Sequence, residues 1–408
     1  MTHDSQYDLV IVGGGLIGTS LACALRNRPL RVALIDAVAI ERLEAPSFDS
    51  RSVVLSFGSR RIFSALDLWP AFSRDACPIR TIHVSNRGSM GFARIKAADY
   101  RVDALGYVVE NRILGAVLVN ALQGAENIHL LSHARLTGIQ RFAGKTELDV
   151  DFNGSSRRIS ASLVVAADGQ HSLVRKAVGV ESDIDEYQQT AIVANIETSL
   201  PHQNIAYERF TATGPLAMLP LTQNRVSMVW MVAPGQAPGL LALEEMTFAA
   251  RLQETFGGRL GIIKRVGRRA SYPLALVRTR ERVVPGVVFI GNAAQSLHPV
   301  AGQGFNLGLR DVAALAEVVV QSLENKTDLG SQVVLKNYDQ WRTADTRAMV
   351  TITDTLARLF VNPFGPVSLL RNLGLIVVDI LPFVKDKLAR RTMGLTVPLP
   401  RLARGLKL

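Results

Sequence analysis

The stretch YDLVIVGGGLIGTSLACALRN, residues 7–27, limits what this chain can fold into more than any other. Leu9–Val12 is an apolar run that ends in a glycine cluster. From Ile17 onward Leu21, Ala24 and Leu25 recur at helical spacing, and a second apolar run, Leu30–Asp36, ends in an acid. The order is strand, turn, helix, strand, which is a nucleotide-binding unit. Gly13, Gly15 and Gly18 form G-x-G-x-x-G at the strand-to-helix junction. There the first glycine permits the tight turn, the second lets a pyrophosphate approach the backbone, and the third lets helix and strand pack closely. The free amides and positive end of the helix then favour phosphate charge. Asp36 stands about 20 residues on, where a carboxylate accepts hydrogen bonds from an adenosine ribose. The motif alone implies a dinucleotide and does not separate NAD from FAD.

Two later apolar runs behave like the first. ASLVVAADGQHS ends at Asp168–Gly169, and GVVFIGNAAQ ends at Gly291–Asn292. Three strand ends with polar, glycine-bearing loops would share one edge of a parallel sheet, where such folds bind ligands. Residues 190–232 instead read as strands of a mostly antiparallel sheet, and 240–256 as helix. The expected division is therefore a first part of a dinucleotide domain at 1–180, an inserted β-sheet substrate lobe at 181–281, a return segment at 282–330 and a helical C-terminal segment at 331–408. At 408 residues the chain is long enough for such lobes.

The formal charge of +11 is concentrated at the end of the chain. Lys385, Lys387, Arg390, Arg391, Arg401, Arg404 and Lys407 stand there against one acid, Asp386. That asymmetry points to a local anionic partner, not to nucleic acid. SLLRNLGLIVVDILPFVKDKLARR combines an apolar face with a basic end, as expected of a helix lying on an anionic membrane or docked on the protein's own core. Two cysteines, Cys23 and Cys77, give no disulfide framework or metal cluster and fit a reducing cytoplasm, with Cys23 on the buried face of the first helix. The N-terminal residues have no signal-peptide pattern, and no apolar run reaches the ~20 residues that span a bilayer.

In their order, the first glycine motif, the segment DGQHSLVR (Asp168, Gly169, Ser172, Arg175) and the loop Pro299, Gly302, Gln303, Gly304, Asn306, Gly308 resemble the flavin-dependent aromatic hydroxylases. The strings GNAAQSLHPVAGQGFNLGLRD, ERFTATGPLAMLPL and SYPLAL resemble the ubiquinone-biosynthesis branch, and the likeness runs from residue 7 to about 393. The resemblance implies an α/β fold: a Rossmann-like FAD domain, an inserted antiparallel substrate sheet and a C-terminal helical segment. It implies FAD as cofactor, NAD(P)H and O2 as co-substrates, and hydroxylation through a flavin C4a-hydroperoxide. The implied substrate is a prenylated methoxyphenol such as 2-octaprenyl-6-methoxyphenol, or the substrate of another ring hydroxylase of the same pathway. A non-catalytic FAD-holding scaffold in a lipid-biosynthesis complex is the alternative of a different kind. The implied setting is cytoplasmic, on the inner face of the cell membrane, beside other ubiquinone-biosynthesis proteins.

The same resemblance puts Gly13, Gly15, Gly18, Asp36, Asp168, Gly291, Asn292, Pro299, Gly302, Gln303, Gly304 and Asn306 at the FAD. Arg51 matches a family arginine that reaches the cofactor, and Arg112 falls on the adenosine side; each could instead be a surface ion-pair partner. The usual G-D-A-A-H of the family reads G-N-A-A-Q here, so Asn292 replaces an aspartate and Gln295 a histidine. An asparagine carbonyl still accepts from a ribitol hydroxyl, without the charge. A helix starting near Phe305 would aim its amides at the flavin edge that gains charge on reduction. His298 suits acid–base work by its ordinary pKa or is a backbone-satisfied loop histidine, and His171 reads as a surface residue. Met218, Leu219, Met228 and Trp230 are candidates for an apolar channel or for plain sheet core. No residue stands out in the sequence as the acceptor of the phenol proton, and no metal is expected.

Overall fold

The computed structural model describes residues 6–39, 51–88, 91–298, 302–361, 382–395 and 398–408. Pro299 lies outside them, as do residues 362–381 of the expected membrane-contacting segment.

The first sheet is built on β1 (Gln6–Val12), whose Leu9, Val10 and Ile11 have no exposed surface. Strands buried on both faces read as unbroken apolar runs, and parallel sheets are made of them. β1 lies parallel to β2 (Val32–Ile35) on one side and β11 (Ser155–Ala166) on the other. Beyond these run β8 (Ile128–Leu131) beside β2 and β19 (Val287–Phe289) beside β11, both parallel, with β18 (Val283–Val284) antiparallel at the edge. β9 (Ala134–Phe142) and β10 (Lys145–Phe152) extend β11 as an antiparallel ribbon. Helix α1 (Leu16–Leu25) follows β1 and packs against the long buried helix α8 (Gln303–Glu324). α8 begins two residues before the expected Phe305, because Gly302 takes the left-handed conformation (φ +59°) that starts it.

The second sheet runs β20 (Gln295–Ser296), β17 (Ala270–Thr279), β12 (Ser182–Thr198), β15 (Arg225–Val232), β14 (Gly214–Pro220), β13 (Ile205–Thr211), β5 (Thr81–Asn86) and β6 (Phe92–Lys96), with β16 (Ile263–Val266) also on β12. Here the sequence division at 181 is corrected. The β5–β6 hairpin, assigned to the first domain, belongs to this sheet through parallel pairing of β5 with β13. Its apolar face (Ile82, Val84, Ala93, Ile95) needs a partner that arrives more than a hundred residues later, a pairing that local periodicity does not show.

A small sheet of β3 (Ser52–Ser56), β7 (Gly106–Glu110) and β4 (Cys77–Ile79) joins the two large ones, flanked by α2 (Phe57–Ala65), α3 (Trp69–Phe72) and α4 (Asn111–Asn120). Short α5 (Leu173–Ala177) follows β11. The stretch expected to be one helix over 240–256 is two, α6 (Ala237–Ala242) and α7 (Glu245–Phe256), broken at the extended Leu243. α9 (Gln332–Val361) lies along α8, and α10 (Pro382–Thr392) returns to α2, where the Gly58 amide donates to the Met393 carbonyl at 2.9 Å.

Candidate active site

At the β1–α1 junction each glycine has a separate physical role. Gly13 turns at φ +110°, and a Cβ there would sit 2.5 Å from the Ala167 carbonyl oxygen. A Cβ on Gly18 would lie 1.9 Å from the Gly13 oxygen, so that glycine lets the helix close on the strand. Above Gly15 nothing lies within 4 Å. Gly15 caps α1 with no side chain on the helix amides, so the site is an open cradle with a positive end. The Asp36 carboxylate is fixed against this loop by the Gly14 amide at 2.6 Å and the Val38 amide at 2.9 Å.

The other two strand ends meet the first. Asp168 accepts from the Val174 amide at 3.1 Å. Burial raises its pKa, while the Ser172 hydroxyl and the Val174 amide hold it partly down. Arg175, buried, donates to the Ala293 carbonyl at 2.9 Å and the Gln170 carbonyl at 2.7 Å, tying this segment to the GNAAQ loop. His171 is exposed. Asn292 stands exposed at the rim. Gln295, in place of the family histidine, is buried and donates to Asp311 at 3.0 Å.

Asp311 is a residue that motif reading missed. It also accepts from the Gly291 amide at 3.0 Å and pairs with Arg342 at 2.7 Å, while Arg342 and Arg310 reach Asp345 at 2.6 and 2.7 Å. Burial works to raise the Asp345 carboxyl, but Arg310 and Arg342 outweigh it and hold it below the ordinary range. This buried network braces α8, α9 and the GNAAQ loop into one body. Its signal in sequence was only Arg342 and Asp345 at helical spacing.

At the start of α8, a Cβ on Gly302 would press on Val54 at 2.9 Å, whereas Gly304 faces open space. Gln303 is buried with its amide 3.4 Å from the Thr392 carbonyl. Asn306, expected at the cofactor, has its side chain turned to the protein. Its Nδ2 donates to the Val54 and Gly302 carbonyls at 2.9 and 2.8 Å, and its Oδ1 accepts from the Ser56 amide and the Ser59 hydroxyl, both at 2.7 Å. Every hydrogen-bonding position of the side chain is used inside the protein, so the side chain clamps α8 to β3.

These elements enclose a cavity of about 800 Å³. Gly15, Gly169, Gly291, Asn292 and Gly302–Phe305 line one wall. The second sheet is the opposite wall, and Leu388, Ala389 and Thr392 of α10 with Met393 just after it close the end. Of the four apolar-channel candidates only Leu219 lines it. Met218, Met228 and Trp230 pack on the other face against α6 and α7, because side chains alternate across a strand and Ala217, Leu219 and Val229 take the cavity side. Arg51 is exposed with a 3.4 Å contact to the Tyr272 hydroxyl, and Arg112 pairs with buried Glu110 at 2.5 Å, which also holds Arg225 at 2.6 Å. Neither arginine lines the cavity. His298 is fully buried 2.9 Å from Gln189, and burial pushes its pKa down to about 4. Neutral at ordinary pH and outside the lining, it is a packing residue. Cys23 is buried, its thiol donating to the Leu118 carbonyl.

A residue pointing into this cavity was also missed. Glu208 on β13 lines the wall, its Oε1 is buried with no hydrogen-bond partner, and burial raises its pKa to about 7. The sequence signal was an acid in step with Ala206 and Phe210, on the apolar face of its strand.

The open cradles at Gly15 and Gly304, each at the uncapped start of a helix, fit a dinucleotide whose two halves carry charge at both places. A family model described as the FAD binding domain matches residues 6–353. Ubiquinone hydroxylase UbiL of Rhodospirillum rubrum is 38% identical across 99% of this chain and 94% of its own length. The 3-demethoxyubiquinol 3-hydroxylase of Escherichia coli is 30% identical across 95% and 98%. Among solved structures, the p-nitrophenol 4-monooxygenase PnpA of Pseudomonas putida shares the fold with a TM-score of 0.80 at 17% identity, covering 97% of this chain and 99% of that one. PqsL of Pseudomonas aeruginosa gives 0.77 at 21% identity, covering 91% and 99%. Fold and site define a FAD-dependent aromatic-ring monooxygenase. Within that class the chain belongs to the FAD binding domain family, among its ubiquinone-biosynthesis hydroxylases.

Proposed function

We propose that this enzyme hydroxylates the ring of a prenylated methoxyphenol on the way to ubiquinone, with 2-octaprenyl-6-methoxyphenol as the substrate of choice. The observation that carries the reading is the cavity with a glycine-rich helix entry on one wall and an apolar sheet on the other. A ring lying between these walls would be held against the cofactor and away from water, and the apolar wall suits a prenyl tail.

In this reading Gly13–Gly15 and the first turn of α1 take the pyrophosphate, and Asp36 takes the adenosine ribose. Asn292 accepts from the ribitol, and Gly302–Gly304 with the first turn of α8 face the pyrimidine edge of the flavin. Bound FAD supplies the redox chemistry, drawing electrons from NAD(P)H and passing an oxygen atom of O2 to the ring. The protein's part is to orient the ring, exclude water and place donors where charge develops. Among the described residues no helix is long and apolar enough to cross a membrane. α10 presents exposed Phe383, Lys387 and Arg390 outward while its inner face closes the cavity. That arrangement suits a cytoplasmic protein resting on an anionic bilayer that holds its substrate.

The test incubates FAD-loaded protein with NAD(P)H, 18O2 and 2-octaprenyl-6-methoxyphenol, and follows product by mass spectrometry. The expected product is the quinol carrying one 18O atom. Reduction of the flavin with no labelled product overturns the assignment. Labelled product only from a different ring of the same pathway, such as the 3-demethoxyubiquinol named for the Escherichia coli relative, moves the substrate but not the class.

A further inference from the structure

Among the described residues lining the cavity, Glu208 is the one carboxylic acid. The register of the second sheet shows how unusual its position is. Reading across the strands, Ala93 pairs with Val84, Val84 with Glu208, Glu208 with Ala217, and Ala217 with Val229. All five line the cavity, and the other four are apolar. A carboxyl in such a row costs stability unless something repays it. Among the described residues nothing does: Oε1 is buried and has no partner there. The partner is to be sought in what enters the cavity.

We propose that Glu208 is the catalytic residue that accepts the phenol proton of the substrate as the ring is hydroxylated. This rests on the reading of the substrate as a phenol. The phenol O–H bond breaks, its electron pair stays on oxygen, and the proton forms an O–H bond on the Glu208 carboxylate. The electron-rich ring then bonds through a carbon conjugated with that oxygen to one oxygen atom of O2. The second oxygen atom leaves as water, with its two electrons drawn from NAD(P)H. Loss of the ring proton restores aromaticity, and Glu208 returns its proton to the phenolate oxygen.

The energetics favour a base of this kind. An ordinary glutamate, near ~4.3, lies about six decades below a phenol near ~10. Burial raises Glu208 to about 7 and narrows that gap to roughly three decades. The charged groups nearby are directed elsewhere. On β13 Tyr207 also borders the cavity, with its ring packed on Phe256 and His83, and Arg209 alternates to the face opposite Glu208. On β6, Arg94 and Lys96 alternate with the lining residues Ala93 and Ile95, and Arg94 contacts His83. On β5 the flanking lining residue is Ile82, on β14 it is Leu219, and on β15 Arg225 is held by Glu110. The facing loops offer neutral Asn292, Ser296 and Gln303. On α10, Lys385, Asp386, Lys387, Arg390 and Arg391 are not lining residues.

The test uses the FAD-loaded enzyme and the variants Glu208→Gln and Glu208→Asp. Glu208→Gln is expected to lower kcat for hydroxylation about a hundredfold or more, with O2 diverted to H2O2. Glu208→Asp should recover part of the rate, and it carries the test if the glutamine variant does not hold FAD. The wild-type kcat should rise with pH through about 7, an inflection the glutamine variant lacks. A ring-fluorinated, more acidic phenol should shrink the deficit. A Glu208→Gln enzyme within twofold of wild type at every pH overturns the proposal. A second measurement needs no turnover: Kd of oxidised holoenzyme for 2-octaprenyl-6-methoxyphenol from flavin fluorescence. Wild-type binding should tighten several-fold as pH rises through 7, and the glutamine variant should be flat. If wild type makes no hydroxylated product, the substrate reading fails by itself, and the Kd titration still decides Glu208: two flat profiles overturn it.

Discussion

Replacing Asn306 by alanine separates a clamp from a ligand. In the structure the side chain satisfies the Ser56 amide and the Val54 carbonyl, both at the buried strand that receives α8. Ser59 keeps a partner in Ser56 and the Gly302 carbonyl lies in the first turn of the helix, so these two groups lose least. Two backbone groups are then stranded, each costing about 1–3 kcal/mol, for a total of about 2–6 kcal/mol. The loss is read by urea unfolding of the FAD-free protein, so that cofactor binding does not contribute to the difference. FAD affinity, measured separately by fluorescence, should fall as a consequence, because Gly302 is no longer held against Val54. A loss of stability under about 1 kcal/mol together with a loss of FAD would refute the clamp and make Asn306 a direct ligand. So would a variant unchanged in both.

Other substitutions test the site from different sides. Gly304→Val should block FAD loading while leaving the unfolding midpoint of the FAD-free protein close to wild type, since the space above Gly304 is open. Gly18→Ala should instead destabilise the FAD-free protein, because its Cβ would lie 1.9 Å from the Gly13 oxygen. His298, held at about 4 against an ordinary 6.5, binds more protons unfolded than folded. Its contribution is therefore complete above pH 6.5 and disappears as pH falls towards 4, up to about 3 kcal/mol, and His298→Gln should remove that part of the acid sensitivity in urea titrations at pH 4 and 7. Charge reversal of Lys387 and Arg390 should weaken sedimentation with anionic vesicles by about 1 kcal/mol per residue at low salt and leave neutral vesicles unaffected; equal binding of both proteins would remove the membrane role of α10.

The parts of this protein legible in the sequence are those governed by short-range constraints. Gly13, Gly15, Gly18 and Asp36 lie within one strand–helix–strand unit, where backbone sterics and helix-end charge permit few alternatives. The α8 entry was legible for the same reason, since Gly302 must turn left-handed and Gly304 must leave space within a few residues. What the tertiary structure decided depends on partners far away in the chain. Asn306 became a clamp because β3 and the first turn of α2 come to it, and Met218 went to the core because the sheet's register turned Leu219 towards the cavity. Arg112 found Glu110, and the β5–β6 hairpin found β13. Glu208 is the clearest case. In sequence it is one acid in IAYERFT, but the cross-strand rows surround it with apolar neighbours and leave it facing the cavity. A carboxylate's chemistry is set by what surrounds it, and only long-range pairing decides those surroundings.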